Sequence, residues 1–367
     1  MCNLLYYQTN IDIKILNKYI TKKAIKEPWE LNSNPPKSFY RFIIVIPSFK
    51  EGYEIIPTLE SIALQNMELQ KQLLVVFVIN NSDDADDQTI KKNHFTRRAI
   101  LQFECKFDVC TIDAYLEYPL PRKQAGVGLA RKIGFDLVLP YSSKNTILFG
   151  LDADTIISPD YLNTIDVYFI NQKIDCLIPG IKHQNGANLE VENAIRDYED
   201  FLYSTAENLQ KAGSPFGFIT MGSAMAFTSN CYMKAGGISR KKATEDFYFL
   251  QEVVKTTSVI TIPEILVHPS SRVSDRVYLG TGFRMLQAQT GYELTDLNIL
   301  IQYEDAALLS MIKSDYGLTE LEIFPSIKTA VYSVLNTQQI NETVTALSND
   351  PRVVNVSFNL VEMTEVA

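Results

Sequence analysis

The sequence has 367 residues, of which 46% are hydrophobic and 21% are charged, so it is long enough to bury a sizeable core without disulfides or structural metals. Its 43 acidic and 34 basic residues give a formal net charge of -9, which argues against a surface that neutralises a nucleic-acid backbone. The five cysteines are scattered and form no C-x-x-C pair, so neither a disulfide framework nor a zinc site is expected.

The N-terminal region, residues 1–39, is predicted to be an accessory segment. It lacks the basic and apolar regions of a secretory signal. No run approaches the ~18 apolar residues that span a bilayer, so we expect a cytoplasmic protein without a transmembrane segment. Residues 11–25 interleave Ile and Lys, which favours a packed helix, with peripheral contact at the inner membrane face as the alternative. The turn-rich residues 30–38 precede a predicted domain at 40–275.

Within that domain, apolar β-branched runs alternate with helical patterns. Continuous apolar runs are typical of strands that are buried on both faces of a parallel sheet. The sequence therefore predicts an α/β fold with a mostly parallel sheet flanked by helices. The predicted strands are residues 42–48, 73–80, 109–115, 146–154 and 258–268, and the predicted helices are residues 53–70, one that ends near Leu101, and residues 126–139.

Two aspartates, Asp152 and Asp154, lie at the end of the fourth predicted strand. Ligands of open parallel sheets bind beyond the carboxyl ends of the strands. Carboxylate oxygens suit Mg²⁺ or Mn²⁺, which also bind phosphate oxygens. The pair is therefore predicted to hold a divalent cation against a diphosphate, the plain alternative being turn chemistry.

The motifs over residues 41–275 follow the order found in family-2 glycosyltransferases, which the chain resembles. The segment Ile46–Glu51 resembles the family's first-strand I-P-x-x-x-E segment, which contacts the nucleotide. Where the family has an Asp-Asp-Gly-Ser turn that reads the base, this chain has Asn80–Asp83. An amide can bond a base edge as donor or acceptor, so the base stays open. The resemblance implies nucleotide contacts at Pro47, Ser48, Glu51 and Asn81.

Two further motifs resemble those of the family. The glycine-rich segment Gly126–Gly134 is similar to the family's G-x-x-x-A-R-N-x-G helix, which supplies a basic residue beside the nucleotide and so implies a contact from Arg131. Packing of small residues with a solvated Arg131 is the alternative. The pair Glu245 and Asp246 matches the E-D motif and implies that Asp246 removes a proton from the acceptor hydroxyl, with Glu245 as neighbour or substitute. Acids at a helix N-terminus are the alternative explanation of the pair.

The last predicted strand ends at His268, where related enzymes have a histidine that completes the metal shell. Asp275 is the reserve ligand. The loop after His268 is rich in Arg and Gly, and Arg272 and Arg276 are candidate diphosphate contacts. Residues 276–367 are predicted to form a mainly helical C-terminal extension or lid.

The resemblance implies a GT-A type, Rossmann-like fold and a metal-dependent, hexosyltransferase-like activity. A sugar would move from a nucleotide-diphosphate-sugar donor to a glycan, lipid-linked or small-molecule acceptor, with inversion as the family's usual outcome. Two alternatives stay open. One is a non-catalytic module that binds sugar nucleotides. The other is a phosphoaspartyl phosphatase, because the segment Asp152–Thr155 is similar to that class's nucleophile loop.

Overall fold

The structure is a computed structural model that describes residues 13–25, 28–211, 213–242, 244–273, 281–282 and 285–286. Asp275, Arg276 and most of the predicted C-terminal extension lie outside the described residues. The chain divides into two compact units. The first holds the described residues up to 185 and residues 220–272, and the second holds residues 186–219 with the described residues from 273 onward. The predicted domain boundaries stay predictions.

The first unit is built around a mixed sheet. Its strands are β1 Tyr40–Ser48, β2 Leu73–Asn80, β3 Asp108–Ala114, β4 Ser142–Gly150, β5 Ile156–Ile157, β6 Cys176–Ile181, β7 Met225–Thr228 and β8 Ile260–His268. They lie in the order β3-β2-β1-β4-β7-β6-β8-β5. The pairs β1-β2, β2-β3, β1-β4 and β6-β8 are parallel, whereas β7 is antiparallel to both of its neighbours. The predicted α/β fold with a mostly parallel sheet is therefore confirmed.

Helices flank this sheet, and one long helix belongs to the second unit. They are α1 Ile13–Lys22, α2 Ile56–Ala63, α3 Met67–Gln70, α4 Asp87–Gln102, α5 Val127–Val138, α6 Tyr161–Gln172, α7 Leu189–Lys211, α8 Ser229–Lys234 and α9 Glu245–Val254. Within the described part of the chain, none of them combines the length and the apolar composition needed to cross a bilayer. Helix α7 contributes Val191, Ile195 and Tyr198 to an apolar cluster that includes Met285.

The single helix predicted over residues 53–70 is wrong. A 3₁₀ turn at Gly52–Ile55 leads into α2, and α3 starts separately after Asn66. The side chain of Asn66 accepts a hydrogen bond from the backbone N–H of Glu68 at 2.9 Å. An Asn in this role satisfies a donor at a helix start and favours a new N-terminus over a continuous helix.

The core strands are buried along their whole length. Every residue of β1 and of β2 is buried, because helices cover both faces of a parallel sheet. Gly134 of α5 faces Val45 and Val78 so closely that a Cβ at this position would overlap both side chains. Helix α5 therefore lies directly on β1 and β2, which fixes the position of the residues at its N-terminus.

A buried polar cluster joins α1 to α5 and α8. Asp136 accepts hydrogen bonds from the Tyr19 hydroxyl at 2.6 Å, from the Tyr232 hydroxyl at 2.7 Å and from the backbone N–H of Ile25 at 2.8 Å. The ammonium group of Lys132 lies 3.0 Å from the same carboxylate. Because each polar group in this cluster has a partner, the N-terminal helix can dock without leaving a charge unpaired.

Tyr19→Phe is expected to lower the free energy of unfolding by about 1–3 kcal/mol, because it removes a buried hydroxyl that donates to the buried carboxyl group of Asp136. Chemical denaturation followed by far-UV circular dichroism measures this change. Tyr168→Phe is the matched control, since the Tyr168 hydroxyl also donates to a carboxylate, that of Glu264 at 2.9 Å, but at an exposed site. Equal losses in the two variants would contradict a docking role for the buried cluster.

Candidate active site

The two predicted metal ligands lie in the loop that follows β4, at its carboxyl end. Main-chain groups of this loop are held from two sides. The Thr58 hydroxyl donates to the carbonyl of Ala153 at 2.9 Å, and the Gln184 side-chain amide donates to the carbonyl of Asp154 at 2.8 Å. The side chains of Asp152 and Asp154 are 38% and 29% exposed, so both carboxylates are accessible to a ligand.

Gln184 was missed by sequence reasoning. Its side-chain amide also donates to the carbonyl of His268 at 2.9 Å, so it connects the Asp154 loop to the end of β8. A side chain that recognises main-chain carbonyls leaves no signal in the residue types around it. Only the fold brings these three segments together.

Arg131 links the Asp152 loop to the start of α9. Its side chain is 3% exposed, and its two terminal nitrogens form ion pairs with Asp152 and with Glu245. Burial alone would lower the pKa of Arg131, but the carboxylates of Asp152 and Glu245 raise it above its ordinary value. The guanidinium is therefore a permanent cation. The contact predicted for Arg131 was with the nucleotide, and the contacts that it makes here are with the two acidic motifs.

Glycines create the space for this arrangement. A Cβ on Gly222 would overlap the Arg131 guanidinium, and a Cβ on Gly128 would overlap the Lys241 carbonyl. A Cβ on Gly126 would lie 2.7 Å from the Cα of Lys242. The glycines at the N-terminus of α5 thus let the backbone before Glu245 approach the helix closely. In this structure they position the E-D motif, which was not expected from the sequence.

The acidic pair at the start of α9 has two distinct environments. Glu245 is 2% exposed and bonded to Arg131, whereas Asp246 is partly exposed and accepts a hydrogen bond from the backbone N–H of Phe247 at 2.8 Å. Burial raises the pKa of both carboxylic acids, and Arg131 opposes this shift in each. Of the two side chains, Asp246 is the more accessible to a ligand.

The residue before this pair has an unusual backbone conformation. Thr244 has φ of 60°, in the left-handed region that β-branched residues rarely adopt. Such strain persists only where the surroundings impose it, and it occurs most often at functional sites. Here Thr244 directly precedes Glu245 and turns the chain into α9.

A second cluster of ion pairs surrounds Arg272. Its guanidinium bonds to Asp154 at 2.8 Å, to Glu54 at 3.2 Å and to Glu51 at 3.3 Å. Glu51 is 3% exposed. The structure therefore brings together three of the predicted residues, Glu51, Asp154 and Arg272. The ligand contact predicted for Arg276 lies outside the described residues.

All four nucleotide contacts predicted at Pro47, Ser48, Glu51 and Asn81 are buried. Pro47 and Ser48 lie within β1, and Ser48 is 0% exposed. The Asn81 amide donates to the carbonyls of Ser82 and Tyr115 at 2.9 and 3.1 Å. Its oxygen accepts from the Asn93 amide at 2.8 Å. The amide of Asn81 thus holds the loop after β2, and contact of its side chain with a base stays a prediction.

His268 lies at the end of β8 beside Ile156 of β5. Its Nδ1 donates to the Lys182 carbonyl at 2.9 Å, and its Nε2 lies 3.2 Å from the Ser158 hydroxyl. Both ring nitrogens thus have protein partners. Ligation of a metal by His268 would require Nε2 to exchange its bond with Ser158, and it stays a prediction.

Several solved structures are similar to this chain. No family model matches the sequence, and no curated protein matches it. The structure of S. aureus TarS 1–349 in complex with UDP-GlcNAc matches with 13% identity and a TM-score of 0.46, over 83% of this chain and 92% of that chain. In fold, the chain is similar to it. A mannosyltransferase, PcManGT from Pyrobaculum calidifontis in complex with GDP-Man and Mn²⁺, matches with 14% identity and a TM-score of 0.44, over 93% of this chain and 88% of that chain.

The carboxylates of the site fit a divalent cation that is held largely by a phosphorylated ligand. Among the described residues, no group of three or more His, Cys, Asp or Glu side chains is arranged to hold a metal. Mg²⁺ is commonly bound by one or two carboxylates together with substrate phosphates. Asp152 and Asp154 can supply these two carboxylates, and each now bonds to a guanidinium group that neutralises it.

Proposed function

We propose that the protein is a metal-dependent glycosyltransferase that moves a sugar from a nucleotide-diphosphate-sugar donor to an acceptor hydroxyl. The observation that carries this proposal is the position of Arg131, which bonds to Asp152 on one side and to Glu245 on the other. The buried guanidinium of Arg131 thus connects two acidic motifs. One contains Asp152 and is suited to a metal-diphosphate complex, and the other contains Glu245 and is suited to proton removal. The order of motifs that resembles family-2 glycosyltransferases supports the same activity.

Asp246 is assigned the role of general base. A base must lie within hydrogen-bonding reach of the proton that it removes, and Asp246 is partly exposed whereas Glu245 is buried. As the acceptor oxygen attacks the anomeric carbon, its proton passes to the Asp246 carboxylate. The bond between the sugar and the diphosphate breaks, and the leaving group carries away the electron pair. Attack opposite the leaving group inverts the anomeric centre.

Glu245 has a positioning role in this proposal. Its ion pair with Arg131 fixes the start of α9, while Arg131 also holds Asp152. A divalent cation bound by Asp152 and Asp154 would neutralise charge that develops on the leaving diphosphate. Both carboxylates lie at the carboxyl end of β4, the edge of the sheet where ligands of α/β folds bind.

A panel of UDP-, GDP- and CDP-sugars with Mn²⁺ or Mg²⁺ tests this function. At least one donor is expected to give hydrolysis or transfer that EDTA abolishes, and to raise the melting temperature only when the metal is present. Stabilisation by a donor without any turnover would favour a non-catalytic binding module. Release of phosphate from an aryl phosphate, without turnover of any donor, would favour a phosphatase.

A further inference from the structure

The guanidinium of Arg272 lies among three carboxylates, where a divalent cation could also bind. Its guanidinium contacts Asp154, Glu51 and Glu54 at 2.8–3.3 Å. In the described part of the chain, Lys92 is the second cation of this cluster, and its ion pair is with the outer carboxylate, Glu54, at 3.6 Å. Among the described residues, Arg272 is the cation that the structure places on Asp154, the residue proposed to hold the metal.

The two arginines that bond to the aspartates differ in how easily they can leave. Arg131 is 3% exposed, and its partner Glu245 is 2% exposed. Separating that pair would leave a buried charge without compensation, which is strongly unfavourable. Arg272 is 34% exposed and Asp154 is 29% exposed, so water can solvate both groups when they separate. Exchange is therefore expected at Asp154, with Arg131 staying in place on Asp152.

We propose that Arg272 and the divalent cation compete for Asp154, so that binding of the metal releases the Arg272 guanidinium to the diphosphate of the donor. This inference rests on the proposed function. A guanidinium that leaves one carboxylate keeps five N–H donors, which match phosphate oxygens in a bidentate geometry. Until the metal binds, the ion pair with Arg272 compensates the charge of Asp154. Arg272 then contacts the ligand only after the metal has bound.

The direct test measures the affinity of the protein for Mn²⁺ without nucleotide. This affinity is lowered if Arg272 competes with the metal and raised if Arg272 assists its binding. Arg272→Gln is expected to raise the affinity for Mn²⁺ roughly two- to fivefold, as measured by calorimetry or by electron paramagnetic resonance, because the competing ion pair has the strength of a partly exposed one. With Mn²⁺ saturating, the same variant is expected to bind a UDP- or GDP-sugar more weakly than the wild type. Circular dichroism confirms that the variant is folded.

Lys92→Gln is the matched control for charge. It removes one positive charge from the same cluster without touching Asp154. A loss of general charge repulsion would raise the affinity for Mn²⁺ in both variants alike, which would overturn the competition. The competition is also overturned if Arg272→Gln leaves the affinity unchanged or lowers it, or if neither the wild type nor this variant binds Mn²⁺.

The two proposals can fail separately. A wild type that turns over a nucleotide-sugar with Mn²⁺, while Arg272→Gln shows no gain in metal affinity, would refute the competition and leave the glycosyltransferase function intact. A gain in metal affinity in a protein that turns over none of the donors would support the competition and refute the function.

Discussion

Asp246→Asn is expected to lower kcat for sugar transfer by about 10²–10⁴-fold, because an amide cannot accept the proton of the acceptor hydroxyl. The affinity for the donor should stay close to that of the wild type, since Asp246 is assigned to the acceptor side. An Asn can still accept the hydrogen bond that the Phe247 N–H donates to the side chain at 2.8 Å. Steady-state kinetics with saturating donor and metal measure the change.

The control for this variant addresses the helix-capping alternative. Asp87 lies in the first turn of α4 as Asp246 lies in the first turn of α9, and it is exposed. Asp87→Asn should cost only a few tenths of a kcal/mol to about 1 kcal/mol of stability and leave kcat unchanged. Wild-type turnover by Asp246→Asn, or equal stability losses without a kinetic effect, would remove Asp246 as the base.

Two predicted strands agree closely with the structure because burial on both faces leaves a strong signal. The runs at residues 42–48 and 73–80 are continuous and apolar, and they lie within β1 and β2. The strand predicted over residues 146–154 extends too far, since β4 ends at Gly150 and Asp152 and Asp154 lie in the loop after it. The helix over residues 53–70 was predicted wrongly. The apolar pattern of the sequence runs on through this region, but the helix ends and a new one begins after Asn66, whose side chain accepts from a backbone N–H. Local hydrogen bonding, which periodicity does not report, decides such a boundary.

The candidate site could be predicted in part, because short motifs, like buried strands, leave a signal in the residue types. Short motifs indicated Asp152, Asp154 and Asp246, whose residue types are those that the chemistry needs. The partners of Arg131 could not be predicted, because Glu245 is 114 residues away in the chain and the choice between solvent, nucleotide and protein depends on packing. The roles of Gln184 and Gly222 were missed because each acts through close contact with a segment distant in sequence.

Gly222→Ala is expected to lower kcat by about 10²-fold, although it adds only a methyl group, because the new Cβ would displace the Arg131 guanidinium. A shift of about 1 Å in a positioning group has an effect of this size. A double-mutant cycle with Arg131→Met tests the cause. If Gly222→Ala acts through Arg131, it should cost little in the Arg131→Met background. Additive losses in kcat would show that Gly222 acts by another route.

Arg131→Met also has an expected effect on stability that depends on pH. Without Arg131, Glu245 is buried and unpaired, which should cost about 3–5 kcal/mol when Glu245 is ionised. Burial already raises the pKa of Glu245, while Arg131 lowers it, so the variant raises this pKa further. A folded-state pKa above the unfolded value makes stability fall as pH rises. Denaturation at pH 5 and pH 8 should therefore show a larger loss at pH 8, and a loss that is equal at both would place the cost elsewhere than on the Glu245 carboxylate.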